Sequence, residues 1–291
     1  MKSQLKIVFF GTPQFVVPVL EKLAENFQVV GVVTAPDQKA GRKQLLTPSP
    51  VKLASQGQAW EANVLTPQKL DPTLAEQLTK IHPDLFVVAA YGKIIPQNIL
   101  DIPKFGALNI HYSLLPKYRG ASPIQEALLN GDKVSGTSII KMDAKLDHGP
   151  IVSTKEIRLS ESDNFESLNT IMTKETIPLL LKTIPDFMTG KIKLQVQDDT
   201  MATYCSIIKK EDGFFDINNS PPLEKLDRMI RAYYPWPTAW TKWPFDKAQG
   251  KNNKIVKLLP QNMVQIEGKK PVKLEEFLRG YPDFPIKTLA V

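Results

Sequence analysis

The sequence has one cysteine, Cys205, and three histidines, His82, His111 and His148, among 291 residues. A single thiol excludes an intramolecular disulfide and any thiolate-rich metal site. It suits a reducing compartment, so the expected location is the cytoplasm. The histidines are dispersed, with no ligand pair at helical or hairpin spacing, and no metal is expected. No stretch reaches the roughly 18 apolar residues of a membrane span, and the opening "MKSQLKIVFFGTP" carries too short an apolar run for a signal peptide. Glycine is missing where a dinucleotide would need it. The first turn reads Gly11-Thr12-Pro13, without the later glycines of the dinucleotide fingerprint, and Pro13 removes an amide that a pyrophosphate would use. A nicotinamide or flavin enzyme is therefore disfavoured. Neither a Walker sequence nor an internal repeat nor a low-complexity tract is present.

Hydrophobic content of 42% and charged content of 23% are ordinary for a globular chain with a real core, and the length suggests two domains. The net charge of +7 is uneven: from Cys205 onward there are 15 Lys/Arg against 10 Asp/Glu. That surplus points to a polyanionic partner of the C-terminal part, although solvated lysines that keep a protein soluble would read the same way.

"LKIVFFGTP" followed by "QFVVPVLEKLAE" reads as strand, turn and helix; "FQVVGVVTAP", "PDLFVVAAYG" and "GALNIHYS" read as further strands, with the helical "DPTLAEQLTKI" among them. Alternation of this kind predicts an α/β fold, a Rossmann-like, mostly parallel sheet covered by helices. "SGTSIIKMD" and "GPIVSTKEIRL" look like two strands flanking a loop. "NFESLNTIMTKETIPLLLKTIPDFM" looks like a long helix interrupted near Pro178. The expected division is 1–188, a linker at 189–206, and a small β-rich domain at 207–291 containing the helix "LEKLDRMIRAY" and the strands "KIVKLL" and "NMVQIEG".

Asn109 and His111 fall at i and i+2 of one strand and so project from the same face, near the strand end where ligands of open α/β sheets gather. Asp147, in "MDAKLDHGPI", offers a carboxylate from the loop. A donor, a proton carrier and a carboxylate suit acyl transfer to an amine, in which an oxyanion forms and the attacking nitrogen loses a proton. Each residue also has a plainer reading, as a satisfied core histidine, a backbone cap and a turn aspartate, and spacing alone leaves both open.

"NIHYSLLPKYRGASPI" followed by "MDAKLDHGPI" resembles the signature of the 10-formyltetrahydrofolate-dependent formyltransferase family: Asn-x-His, Ser-Leu-Leu-Pro, Arg-Gly-x-x-Pro-Ile, Leu-Asp-x-Gly. "FFGTPQF", "PDQKAGRKQLLTPSPVK", "VVAAYGKIIP" and "EDGFFDIN…MIRAYYPWPTAW" are similar to the branch of that family acting on methionyl-tRNA. The resemblance implies that Asn109 and His111 stabilise the oxyanion and that Asp147 holds His111 in its working protonation state. Ser113, Leu114, Leu115 and Pro116 match the folate-binding turn. The strand end from Ala89, with Tyr91, Gly92 and Ile94, is expected beside the pterin. Lys39, Arg42 and Lys43 lie in a basic loop that meets the tRNA acceptor stem in relatives, with Arg42 as its principal arginine. The co-substrate implied is 10-formyltetrahydrofolate, without a metal, and the partner is initiator methionyl-tRNA, bound by a monomer.

In relatives the C-terminal domain is an oligonucleotide-binding (OB) barrel; only about 85 residues stand for it here, so a trimmed barrel is expected. Lys43 replaces a more usual glycine, His148 a threonine, and Tyr112 a smaller residue, which is expected to narrow the entrance to the site. Two rivals stay open: a formyltransferase for an amino sugar nucleotide or glycinamide ribonucleotide, and a silent nucleic-acid-binding relative. The "GRKQLL" insertion and the tail speak against the first, the intact trio against the second.

Overall fold

A computed structural model describes residues 3–41, 44–56, 62–244 and 253–289. The opening apolar run is strand β1 (Ser3–Gly11), buried throughout from Ile7 to Gly11, as a central parallel strand must be. Helix α1 (Val17–Asn26) follows, burying Val17, Leu20, Leu23 and Ala24 at helical spacing. Strand β2 (Phe27–Val33) returns parallel to β1. A small antiparallel hairpin comes next, β3 (Gln38–Ala40) with β4 (Leu45–Thr47). Ser49 caps helix α2 (Pro50–Ser55), and β5 (Asn63–Leu65) runs parallel to β2. Helix α3 (Pro72–Ile81) begins at Asp71, whose carboxylate accepts from the Leu74 amide, and ends at His82 in a left-handed conformation, φ 50°. His82 is thus a helix terminus.

Strand β6 (Leu85–Ala89), helix α4 (Gln97–Leu100) and strand β7 (Ala107–His111) lead to the two-residue strand β8 (Arg119–Gly120) and helix α5 (Pro123–Asn130). Then come β9 (Val134–Lys141), β10 (Ile151–Arg158) and helix α6 (Phe165–Met188). The sheet runs β10-β9-β7-β6-β1-β2-β5; β7, β6, β1, β2 and β5 are mutually parallel, whereas β9 runs antiparallel to β7 and its ends bond those of β10 in antiparallel fashion. Gly11 pairs with Ala89 and Ala89 with Ile110, so β1, β6 and β7 finish level at their carboxyl ends. No helix among the described residues is long and apolar enough to cross a membrane.

Two expectations change. Helix α6 runs unbroken through Pro178 and Pro185. Its row Leu168, Met172, Thr176, Leu180 and Ile184, spaced by four, is buried along the whole length, and that continuous burial outweighs the hydrogen bond each proline removes. The stretch 189–206 is more than a tether. Gln195 pairs with Ile151, and strand β11 (Tyr204–Cys205) pairs with β8.

By compactness the chain separates into two units. One comprises 1–120, 136–157 and 170–204; the other comprises 121–135, 158–169 and 205–291. In the second unit α5 packs on helix α7 (Leu223–Tyr233), whose Leu226, Met229, Ile230 and Tyr233 are buried at helical spacing. A four-stranded antiparallel sheet follows, in the order β12 (Ala239–Pro244), β13 (Asn253–Leu259), β14 (Met263–Ile266), β15 (Val272–Lys273). Helix α8 (Leu274–Gly280) closes that unit, burying Phe277 against Phe284 edge to face.

Candidate active site

Asn109 and His111 stand on one face of β7 at its carboxyl end, and the loop between β9 and β10 carries Asp147 to them. Asn109 donates from Nδ2 to Asp147 Oδ1 at 3.1 Å. His111 Nδ1 lies 3.5 Å from Asp147 Oδ2, which also accepts the Gly120 amide at 2.9 Å. The site is sheltered: 9% of Asn109 and 5% of His111 is exposed, with 12% of the Asp147 side chain. The other Asn109 amide hydrogen is uncommitted among the described residues.

The imidazole is oriented from both ends. Its Nε2 lies 2.8 Å from the carbonyl oxygen of Tyr118, which can only accept, so Nε2 carries a proton and Nδ1 faces the carboxylate. The Nε2 proton is therefore engaged by the protein. Of the donors the three residues offer, the one left open among the described residues is thus an Asn109 amide hydrogen. Tyr118 and Asp147 both adopt left-handed backbone, φ 62° and 46°, a conformation that costs of order 1–3 kcal/mol for a non-glycine residue and persists where surrounding contacts over-determine it.

The turn after β7 is held from the neighbouring strand. Ser138, the cross-strand partner of His111, accepts from Leu115 N at 3.0 Å and donates to Ser113 O at 2.7 Å. Ser113 Oγ donates to Lys117 O at 2.6 Å. Ser113 and Leu115 are buried, Leu115 against Ile140 and Ile151, whereas Leu114 and Pro116 are half-exposed.

Ala89 ends β6 and is buried; Ala90 and Gly92 then turn the chain with φ 45° and 84°. The Tyr91 carbonyl accepts from Thr12 Oγ1 at 3.2 Å, and its ring packs edge-on to Phe10 in the core. Burial pushes the Tyr91 phenol up to about 12. Ile94 is exposed. Of the basic loop, Lys39 is exposed on β3, while Arg42 and Lys43 lie outside the described residues. Lys52 at the base of the hairpin pairs with Asp37 at 2.7 Å. Leu45 and Leu46 on β4 are 63% and 68% exposed, with Leu46 opposite Lys39 across the hairpin.

Tyr112 does not narrow an entrance. One residue past His111 it points the opposite way, buried against Phe15, with its hydroxyl 3.3 Å from Thr173 Oγ1 on α6. Burial raises that phenol to about 12 even though the Thr173 bond favours the charged form. His148 bridges two carboxylates, Nδ1 to Asp143 at 2.7 Å and Nε2 to Asp199 at 3.4 Å. No group of three or more His, Cys, Asp or Glu able to hold a metal occurs among the described residues.

Sequence reasoning missed Ser138, Gln197 and the role of Arg119. Arg119 is 2% exposed; its Nε and Nη2 donate to Gln197 Oε1 at 3.0 and 2.8 Å, and Nη2 also reaches Asp199 Oδ1 at 2.8 Å. Burial alone would lower the guanidinium, but Asp199 and Tyr204 together hold it above its ordinary value. The hydrogen bond from Arg119 holds the Asp199 carboxyl below the usual carboxylate range. Arg119 lay in a quoted motif and could have been found; nothing near Gln197 in the sequence distinguishes it from a linker residue.

A sheltered amide donor, an imidazole and a carboxylate at level strand ends make a site for acyl transfer without a serine or cysteine nucleophile. The family model described as formyl transferase matches residues 5–184, and that of the formyl transferase C-terminal domain matches 207–263. The chain belongs to the formyl transferase family. Within it, the chain is 36% identical to methionyl-tRNA formyltransferase of Clostridium novyi, over 95% of this chain and 97% of that protein. It is 41% identical to methionyl-tRNA formyltransferase of Halalkalibacterium halodurans, over 82% of this chain and 75% of that one. Two solved structures share the fold: a sugar N-formyltransferase from a Shewanella species (TM-score 0.66, 16% identity, 88% of this chain and 98% of that) and HypX from Aquifex aeolicus in complex with tetrahydrofolic acid (TM-score 0.62, 14% identity, 99% and 49%).

Proposed function

We propose that this protein transfers the formyl group of 10-formyltetrahydrofolate to the free amino group of methionine on initiator tRNA, in the cytoplasm. What carries the reading is the meeting of Asn109, His111 and Asp147 in a chain that matches relatives of that activity along nearly its whole length. A folate co-substrate fits the family and the tetrahydrofolate-bound structural neighbour. The strand ends suit one: a Cβ built on Gly92 would meet nothing within 4 Å, so a flat ring can approach the backbone there. Residues Ala89 to Ile94 and the Ser113–Pro116 turn would flank it.

In the reaction the amine nitrogen bonds to the formyl carbon and the carbon's bond to the folate nitrogen breaks. Negative charge builds on the formyl oxygen, where the uncommitted Asn109 hydrogen is the donor. The attacking nitrogen sheds a proton toward the His111–Asp147 pair, directly or through a water, and the folate nitrogen takes one up. Preorganised donors in a sheltered site need no rearrangement when that charge appears. Residues 1–188 would carry this chemistry, with 207–291 helping to hold the tRNA. Lys39, Arg42 and Lys43 would meet the acceptor stem through phosphate contacts that weaken steeply with salt.

The test is an acceptor comparison with purified protein and 10-formyltetrahydrofolate: charged initiator tRNA, charged elongator tRNA and an amino sugar nucleotide. Preferred formylation of the initiator is expected. Transfer to the sugar with none to methionyl-tRNA would overturn the proposal.

A further inference from the structure

Asp147 is gripped at more than its carboxylate. Gln197 Nε2 donates to the carbonyl of Asp147 at 2.9 Å and to that of Gly149 at 2.7 Å, so one amide spans the turn that presents the carboxylate. Gln197 is 8% exposed, and its orientation is fixed rather than free to flip. Two guanidinium hydrogens of Arg119 meet its Oε1, which leaves only the amide hydrogens to face the carbonyls. Arg119 in turn is set by Asp199 Oδ1 and by its own amide bond to Thr203 O at 2.8 Å. The next residue, Gly120, donates its amide to Asp147 Oδ2. One short strand therefore holds the carboxylate directly and, through Gln197, the backbone behind it. The backbone at Asp147 is left-handed, φ 46°, a conformation that needs such restraint.

We propose that Gln197, oriented by Arg119, is a positioning residue that fixes Asp147 against His111. It touches neither reacting atom; it sets the angle and distance at which the carboxylate faces the imidazole. The inference rests on the formyl-transfer reading for its kinetic test only.

Two variants of the full chain separate the roles. Gln197→Met keeps the length and loses every polar contact. Gln197→Glu keeps the oxygen that Arg119 binds and loses the two donors to the loop. A displacement of about 1 Å at a reacting group is worth up to about 10²-fold in rate, so both variants should lower kcat by about tenfold or more with KM for either substrate within about twofold. Both variants leave buried partners of Gln197 unsatisfied and should lower the thermal midpoint, so kcat is measured well below it, where each variant is folded. An anchoring role through Arg119 alone would leave Gln197→Glu active, and that result, or wild-type kcat in both, overturns the proposal. A loss confined to KM, or matched by the unfolded fraction, does the same. A readout without substrate is the ¹⁵N signal of the His111 imidazole, expected to move in both variants and not in Thr200→Ala, an exposed change on the same segment. If wild type fails to formylate methionyl-tRNA, the functional reading falls, and the imidazole signal still decides this one: an unmoved signal overturns it.

Discussion

Asn109 and Asp147 lie 38 residues apart in the chain and share a hydrogen bond of 3.1 Å, amide to carboxylate. That bond uses one Asn109 hydrogen and aims the other. Asn109→Ala should therefore lower kcat by about 10²–10³, the usual cost of one oxyanion donor, with little change in thermal midpoint. Single-turnover formylation checks it. Asn109→Asp should fall further, because it sets two carboxylates face to face.

His111→Ala should abolish transfer while tRNA affinity, read by filter binding, stays within about twofold of wild type, since the imidazole meets Tyr118 and Asp147 and no surface cation. Equal losses of affinity and turnover would contradict the division between chemistry and tRNA binding.

Ser138→Ala removes both bonds that hold the turn after β7, leaving the Leu115 amide and the Ser113 carbonyl without that partner in a buried site. Leaving one such group unsatisfied costs about 1–3 kcal/mol, and the loosened turn should raise KM for the folate. Urea unfolding and folate titration measure the two effects separately.

Gly149→Ala places a methyl group against the Lys141 carbonyl, where backbone meets backbone and neither can yield cheaply. Overpacking of this kind costs about 1–3 kcal/mol, and here the strain falls on the loop that carries Asp147. Reduced thermal midpoint and reduced kcat should appear together.

Asp199→Asn should show a pH-dependent defect. The native carboxyl sits below its ordinary value because Arg119 favours its charged form, so its contribution is present above the ordinary carboxylate range and is lost as pH falls through the depressed value. The stability advantage of wild type over the variant should be steady at neutral pH and vanish in acid. An advantage that grows on acidification would contradict the assignment.

The α/β alternation was legible because buried parallel strands are long apolar runs punctuated by glycine and proline, as in Ile7 to Gly11. The Asn109–His111 pair was legible because strand periodicity is two. Asp147 was legible as a carboxylate in a loop between two strands, but only the resemblance tied it to His111, since no local rule says which loop residue reaches which strand end. Pro178 misled because a local cost was judged without the buried row that offsets it. Gln197 was invisible: its partners are backbone carbonyls, and these look alike in every sequence.

The clamp also gives the protein an order of completion. Every strand of the seven-stranded sheet has been synthesised by Arg158, but the latch on Asp147 waits for Gln197, and β8 waits for Tyr204 and Cys205. Asn109 and Gly120, which hold the Asp147 carboxylate, thus precede the loop in the chain, and Gln197, which holds its backbone, follows it. The clamp is completed by a segment that adds no strand to that sheet.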